Sequence, residues 1–137
     1  MIIYVYGGLM VAGFSLMAAG FAVARFLRKK RFWLRSHRAL GLSGASSIGL
    51  GFLTALYMVS GFGDEHFAVL HADVGAVTVF LSAMTPALGQ LQSMLRSRAV
   101  EIRTWHRWSG AMTLLMVFLT ILSGLVQAGV LPNLREF

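Results

Sequence analysis

Three of the four histidines fall in one pattern, H-x-x-x-G: His37 with Gly41, His71 with Gly75, and His106 with Gly110. On a helix, residues four apart share a face, one turn above the other. A neutral imidazole can offer a ring nitrogen to a metal, and a glycine one turn further on leaves the neighbouring space free of side chain. The combination suits a flat, metal-centred macrocycle laid against a helix, as in a membrane haem protein. In two of the three copies an arginine follows the histidine, Arg38 and Arg107, and such cations could pair with the ring's propionates. The chain has no cysteine. That removes disulfides, thiolate zinc sites, iron–sulfur clusters and covalently attached haem, and leaves histidine, methionine or oxygen as metal ligands.

The elements that must carry these residues are membrane spans. Over 137 residues the composition is 57% hydrophobic, with a mean hydropathy of +0.72, too apolar and too poorly charged for a soluble domain. At roughly twenty residues per crossing, the apolar runs predict four helices, at about 2–25, 36–60, 69–94 and 106–130. The fold class is therefore all-α, a four-transmembrane-helix bundle forming a single membrane-embedded domain. Pro86 falls inside the third run, where proline is expected to kink the helix. Pro132 follows the fourth.

A net charge of +7 could suggest nucleic acid in a soluble protein, but its placement excludes that reading. Eleven of the twelve cations lie in two connections, Arg25 to Arg38 and Arg96 to Arg107. Basic clusters beside apolar runs face the cytoplasm, so both termini are expected to be non-cytoplasmic. Phe32, Trp33, Trp105 and Trp108 suit the interfacial belt. The chain reads as a retained multi-pass protein of the bilayer, placed in the inner membrane of a bacterial or archaeal-type cell.

Because the second and fourth helices both enter from the basic side, His37 and His106 share one depth and can face each other. Two imidazoles from opposite helices would make a six-coordinate low-spin haem b site with no open position for oxygen chemistry. His71 lies at the opposite face. A second haem there would need another ligand, for which the candidates are Met1, Met10, Tyr4, Tyr6 or a residue of another subunit. His66 reads as a loop histidine or as part of an outer donor or acceptor site beside Asp64 and Asp73. Asp73, an ionisable residue within a span, is a functional candidate in its own right.

Two stretches carry a family resemblance. Leu70-His71-Ala72-Asp73-Val74-Gly75 leads to Thr85-Pro86-Ala87-Leu88-Gly89, and Arg103 to Gly110 leads to Leu122-Ser123-Gly124-Leu125. Together they resemble the cytochrome b561 superfamily of transmembrane di-haem cytochromes, over residues 1 to about 128. The resemblance implies four core helices with one histidine each, the first pairing with the third at the non-cytoplasmic side and the second with the fourth at the cytoplasmic side. By it, His37 and His106 match the cytoplasmic pair, and His71 matches half of the outer pair. The first helix departs from the pattern, offering only Met1 to Tyr6 where the family has its histidine. The chain alone is then expected to hold one haem, with His71 bonded to Asp73, to a loop carbonyl or to a small redox partner; a neighbouring subunit or an unconventional ligand could complete a second haem.

The function expected is single-electron transfer, as a subunit or partner of a membrane redox complex or as a homo-oligomer, rather than stand-alone catalysis. Competing classes are a non-redox scaffolding subunit and a cation or proton pathway through His71, Asp73 and His66. An absorption spectrum separates the first class from the others.

Overall fold

A computed structural model describes residues 2–62 and 70–131. Four long helices run up and down in turn: α1 (Ile2–Phe26), α2 (Trp33–Phe62), α3 (Leu70–Met94) and α4 (Ala99–Gln127), with a 3₁₀ turn at Arg96–Arg98 before α4. All four are long and apolar enough to cross a membrane, and no strand occurs among the described residues. The C-terminal ends of α1 and α3 and the N-terminal ends of α2 and α4 carry the two basic connections, which therefore share one end of the bundle. We call this the basic end and the opposite one the outer end.

Packing is closest within the hairpins α1–α2 and α3–α4, lighter for α2 on α3 and α1 on α4, while α1–α3 and α2–α4 are the diagonals. Without a hydrophobic drive between helices in lipid, close approach comes from small residues and hydroxyls. In the first hairpin, a Cβ on Gly13 would stand 2.6 Å from Ile48 Cγ1, and one on Gly44 would stand 2.5 Å from Met17 Cγ and 2.9 Å from the Gly13 carbonyl oxygen. The backbones touch there because neither residue has a side chain. In the second hairpin, Thr78, Ser82, Thr85, Ser109, Thr113 and Thr120 are all buried. Thr78 and Thr120 join hydroxyls at 2.7 Å, and Thr85 and Thr113 at 2.9 Å. Met10, Met17, Ile48 and Val117 fill the centre, whereas Leu53, Phe80 and Phe118 are exposed, as suits a lipid-facing surface.

Helix ends differ from the hydropathy pattern in three places. The second helix starts at Trp33 and the fourth at Ala99 rather than near 36 and 106. Charge bars a residue from the bilayer core but not from a helix, and the leucine and arginine of these segments are good helix formers; Ile102 in the early part of α4 is buried. The fourth helix ends at Gln127 rather than near 130. Gly129 takes a left-handed φ of 71°, and the Val130 N–H turns back 2.9 Å to the Leu125 carbonyl, a Schellman-type stop. Pro86 is accommodated inside α3, which continues through it as one helix of 25 residues.

Candidate functional site

His37 on α2 and His106 on α4 face each other across the diagonal at the basic end. Their ring centres are 5.9 Å apart, with the planes at 85°. Each ring is oriented by a neighbouring helix: His37 Nδ1–H donates to the Gly20 carbonyl of α1 at 2.9 Å, and His106 Nδ1–H donates to the Thr85 carbonyl of α3 at 2.8 Å. A carbonyl can only accept, so the neutral ring carries its proton on Nδ1 and keeps a lone pair on Nε2. No partner for either Nε2 occurs among the described residues. This is the outer-shell arrangement that fixes tautomer and direction in a metal-binding histidine. Imidazoles bound at about 2 Å on opposite sides of one metal place their ring centres roughly 6 Å apart, which is close to the separation here. Ring planes can rotate about such bonds, so a perpendicular pair is allowed.

Both histidines line a cavity of about 1070 Å³ that also takes in Gly41 and Gly110. It lies just above the range of about 300–1,000 Å³ usual for small-molecule and cofactor pockets. A Cβ on Gly41 would meet nothing within 4 Å, and one on Gly110 only Thr85 Cγ2 at 3.6 Å, so one turn beyond each histidine the helix surface is open, as the H-x-x-x-G motif requires. Gly89 does a different job: a Cβ there would stand 3.2 Å from His106 Cε1, so α3 packs on the flank of that ring. Arg38 and Arg107 reach the cavity, joined by Arg25, Arg28 and Arg103. The Arg28 guanidinium lies over the Trp33 ring at 5.8 Å, and Trp33 lies beside His37 with ring centres 6.5 Å apart. The mouth of the cavity is thus cationic and aromatic, a setting for an apolar ring with acidic substituents.

At the outer end His71 is held between three helices. Its Nδ1–H donates to Ser123 Oγ at 2.8 Å, since the Ser123 hydroxyl proton is committed to the Thr120 carbonyl. Its Nε2 accepts from the Tyr6 hydroxyl at 3.0 Å. His71 does not bond Asp73, which is exposed one turn into α3; its partners come instead from α1 and α4. Of the other candidates for pairing with His71, Tyr4 is 81% exposed and Met10 is buried in the core against Gly51. Gly75 has open space around it. Met1, Asp64 and His66 lie outside the described residues. Among the described residues there is no group of three or more His, Asp or Glu that could hold a metal ion.

Residues 2–132 match the family described as eukaryotic cytochrome b561. The chain belongs to the cytochrome b561 family. No curated protein and no solved structure matches it. Family membership and four spans make it an integral membrane protein of the b-type cytochrome class. The family description names eukaryotic proteins and so does not support the bacterial or archaeal-type membrane expected from the sequence. In this cytochrome, sequence reasoning missed the residues that act through tertiary register: the carbonyls of Gly20 and Thr85, and Gly89 and Gly124 packed on His106 and His71. A signal for two of them was present, since Gly89 and Gly124 each lie the same distance after a histidine, His71 and His106.

Proposed function

We propose that this cytochrome carries single electrons through one haem b held between His37 and His106 at the basic end of the bundle. The observation that carries the reading is the pair of Nδ1-anchored imidazoles, 5.9 Å apart, whose Nε2 atoms have no partner among the described residues, on a cavity of cofactor size. When bound, the group supplies a reversible one-electron change at iron. The chain's own residues do the rest. The Gly20 and Thr85 carbonyls hold both rings in the Nδ1–H tautomer, and accepting that proton's bond raises the donor strength of Nε2. Gly41 and Gly110 leave the helix faces open to a flat ring. Arg38 and Arg107 offer charge-assisted hydrogen bonds to propionates near the interface. His37 and His106 would both be taken up in holding the group, leaving small ligands no place at the metal, which suits electron transfer rather than oxygen chemistry.

Sidedness follows from the charges: the basic end faces the cytoplasm and both termini lie on the other side. As exchange partners we propose other redox subunits or further copies of the chain. The test is spectroscopic. Purified in mild detergent and reduced with dithionite, the protein is expected to give a low-spin b-type spectrum unchanged by carbon monoxide. His37→Ala and His106→Ala should each abolish that spectrum. Folded protein without haem, or full low-spin haem retained in both variants, would overturn the assignment.

A further inference from the structure

Each hairpin carries an internal two-fold relation that lines up the two ends of the bundle. Along α1 and α2, one constant step in residue number takes Gly13 to Gly44, Met17 to Ile48 and Gly20 to Gly51, and the contacts obey it. The space over Gly13 is closed by Ile48 and Gly44, and that over Gly44 by Met17 and Gly13. Along α3 and α4, a second constant step takes His71 to His106, Thr78 to Thr113, Thr85 to Thr120 and Gly89 to Gly124. Gly89 flanks His106 and Gly124 flanks His71, each with the same 3.2 Å from a built Cβ to Cε1. The first step also takes Tyr6 to His37. Tyr6 and His71 are therefore the outer-end counterpart of His37 and His106: ring centres 6.2 Å apart at 88°, against 5.9 Å at 85°.

We propose that the outer end is a closed twin of the haem site, in which Tyr6 takes the place of an axial histidine and caps the ligating nitrogen of His71, so that the chain holds one haem and exchanges electrons only at its basic end. The inference rests on the proposed haem between His37 and His106. His71 has the tautomer and the orienting hydroxyl of a ligand, but its lone pair is spent on the Tyr6 hydroxyl. Donor atoms on opposite sides of one metal, each at about 2 Å, would stand roughly 4 Å apart; Tyr6 Oη and His71 Nε2 are 3.0 Å apart, a hydrogen bond with no room between them. Tyrosine ligates iron as phenolate, whereas the Tyr6 hydroxyl keeps its proton in the bond to His71 Nε2, and without a metal beside it an anion in a bilayer is costly. Eleven of the twelve cations lie at the other end. The neutral hydroxyl, donating to the imidazole, is the state this environment favours.

The twin relation makes the closure reversible by one side chain. The measurement is haem-to-protein stoichiometry by pyridine haemochrome, on the full chain purified in mild detergent. One haem is expected in the parent, two low-spin haems in Tyr6→His, and one again when His71→Ala is added to Tyr6→His. On a His106→Ala background, Tyr6→His should gain a single haem that requires His71. Two haems in the parent, one of them lost with His71→Ala, would overturn the proposal, and the parent measurement decides this even if Tyr6→His fails to accumulate. A folded Tyr6→His chain still holding only one haem would overturn it as well. Failure of the basic-end assignment looks different: parent haem content would then be unaffected by His106→Ala, while a His71-dependent gain in Tyr6→His would still uphold the closed twin.

Discussion

Gly89→Ala and Gly124→Ala apply the same insult at two related places and should have different consequences. The methyl at Gly89 would stand 3.2 Å from His106 Cε1 and 3.4 Å from Nδ1; that at Gly124 would stand 3.2 Å from His71 Cε1. Ordinary carbon contacts lie at about 3.5–4.0 Å, so each ring must shift by a few tenths of an ångström. Neither shifts freely, because each is tethered through Nδ1 by a bond of 2.8 Å. Overpacking of this kind costs roughly 1–3 kcal/mol. At Gly89 the displaced ring is a proposed haem ligand. If the whole cost falls on the loaded state, haem affinity drops about 5- to 150-fold, and the low-spin electron paramagnetic resonance signal moves as His106 tilts away from Thr85. At Gly124 the same cost falls on the Tyr6–His71 pair, so thermal stability drops while affinity and signal stay at parent values. Hemin titration of the apo-protein in detergent, paramagnetic resonance and a melt on both variants make the comparison. Equal haem affinity and unchanged signal in both, with Gly89→Ala melting low, would refute the placement of haem against His106.

Three further outcomes are expected. Thr113→Val removes a fully buried hydroxyl that bonds Thr85 Oγ1 and the Ser109 carbonyl; it should cost about 0.5–1.5 kcal/mol in a denaturation measurement, yet keep the haem spectrum, since His106 hangs on the Thr85 carbonyl and not on its hydroxyl. A reporter fused after Phe137 should be active only on the non-cytoplasmic side, and cytoplasmic activity would invert the sidedness. Arg103→Gln with Arg107→Gln should lower the midpoint potential, because nearby cations favour the form carrying the extra electron, and the drop should shrink in high salt; an unchanged or raised potential would separate these arginines from the haem.

The four spans were legible because charge-free apolar runs and clustered cations are properties of the chain itself. Their ends were less so. Hydropathy marks the apolar part of a helix, whereas α2 and α4 already begin at Trp33 and Ala99 within the charged connections, and Gly129 stops α4 by backbone conformation. That His37 and His106 come face to face was legible from matched motifs at matched depth, and Gly41 and Gly110 line the same cavity. The anchoring of the rings was not legible. A carbonyl is present at every position, so nothing in residue type singles out Gly20 or Thr85; only the registers of α1 on α2 and of α3 on α4 bring them to Nδ1. Tyr6 stood among several candidate partners for His71, and the same register selects it by carrying it to the position of His37.

Scaffold and chemistry are separable in this bundle. The contacts that hold the hairpins together, Gly13 on Gly44 and the paired threonines of α3 and α4, repeat from one end to the other and treat the two ends alike. What distinguishes the ends is a small set of side chains outside that packing. Tyr6 stands where His37 stands, Ser123 where Leu88 stands, and the arginines around the basic-end cavity have no counterpart in the charge-free outer half of α1. If haem is held at the basic end alone, as proposed, this asymmetry decides which face can exchange electrons. Here it is written in side chains outside those hairpin contacts, of which Tyr6 also packs on the core around Met10 and Met17. On the proposed assignment, substitutions at Tyr6 or in the basic cluster are expected to alter which face is redox-active, whereas a side chain at Gly13 or Gly44 forces the backbones apart at the centre of the first hairpin.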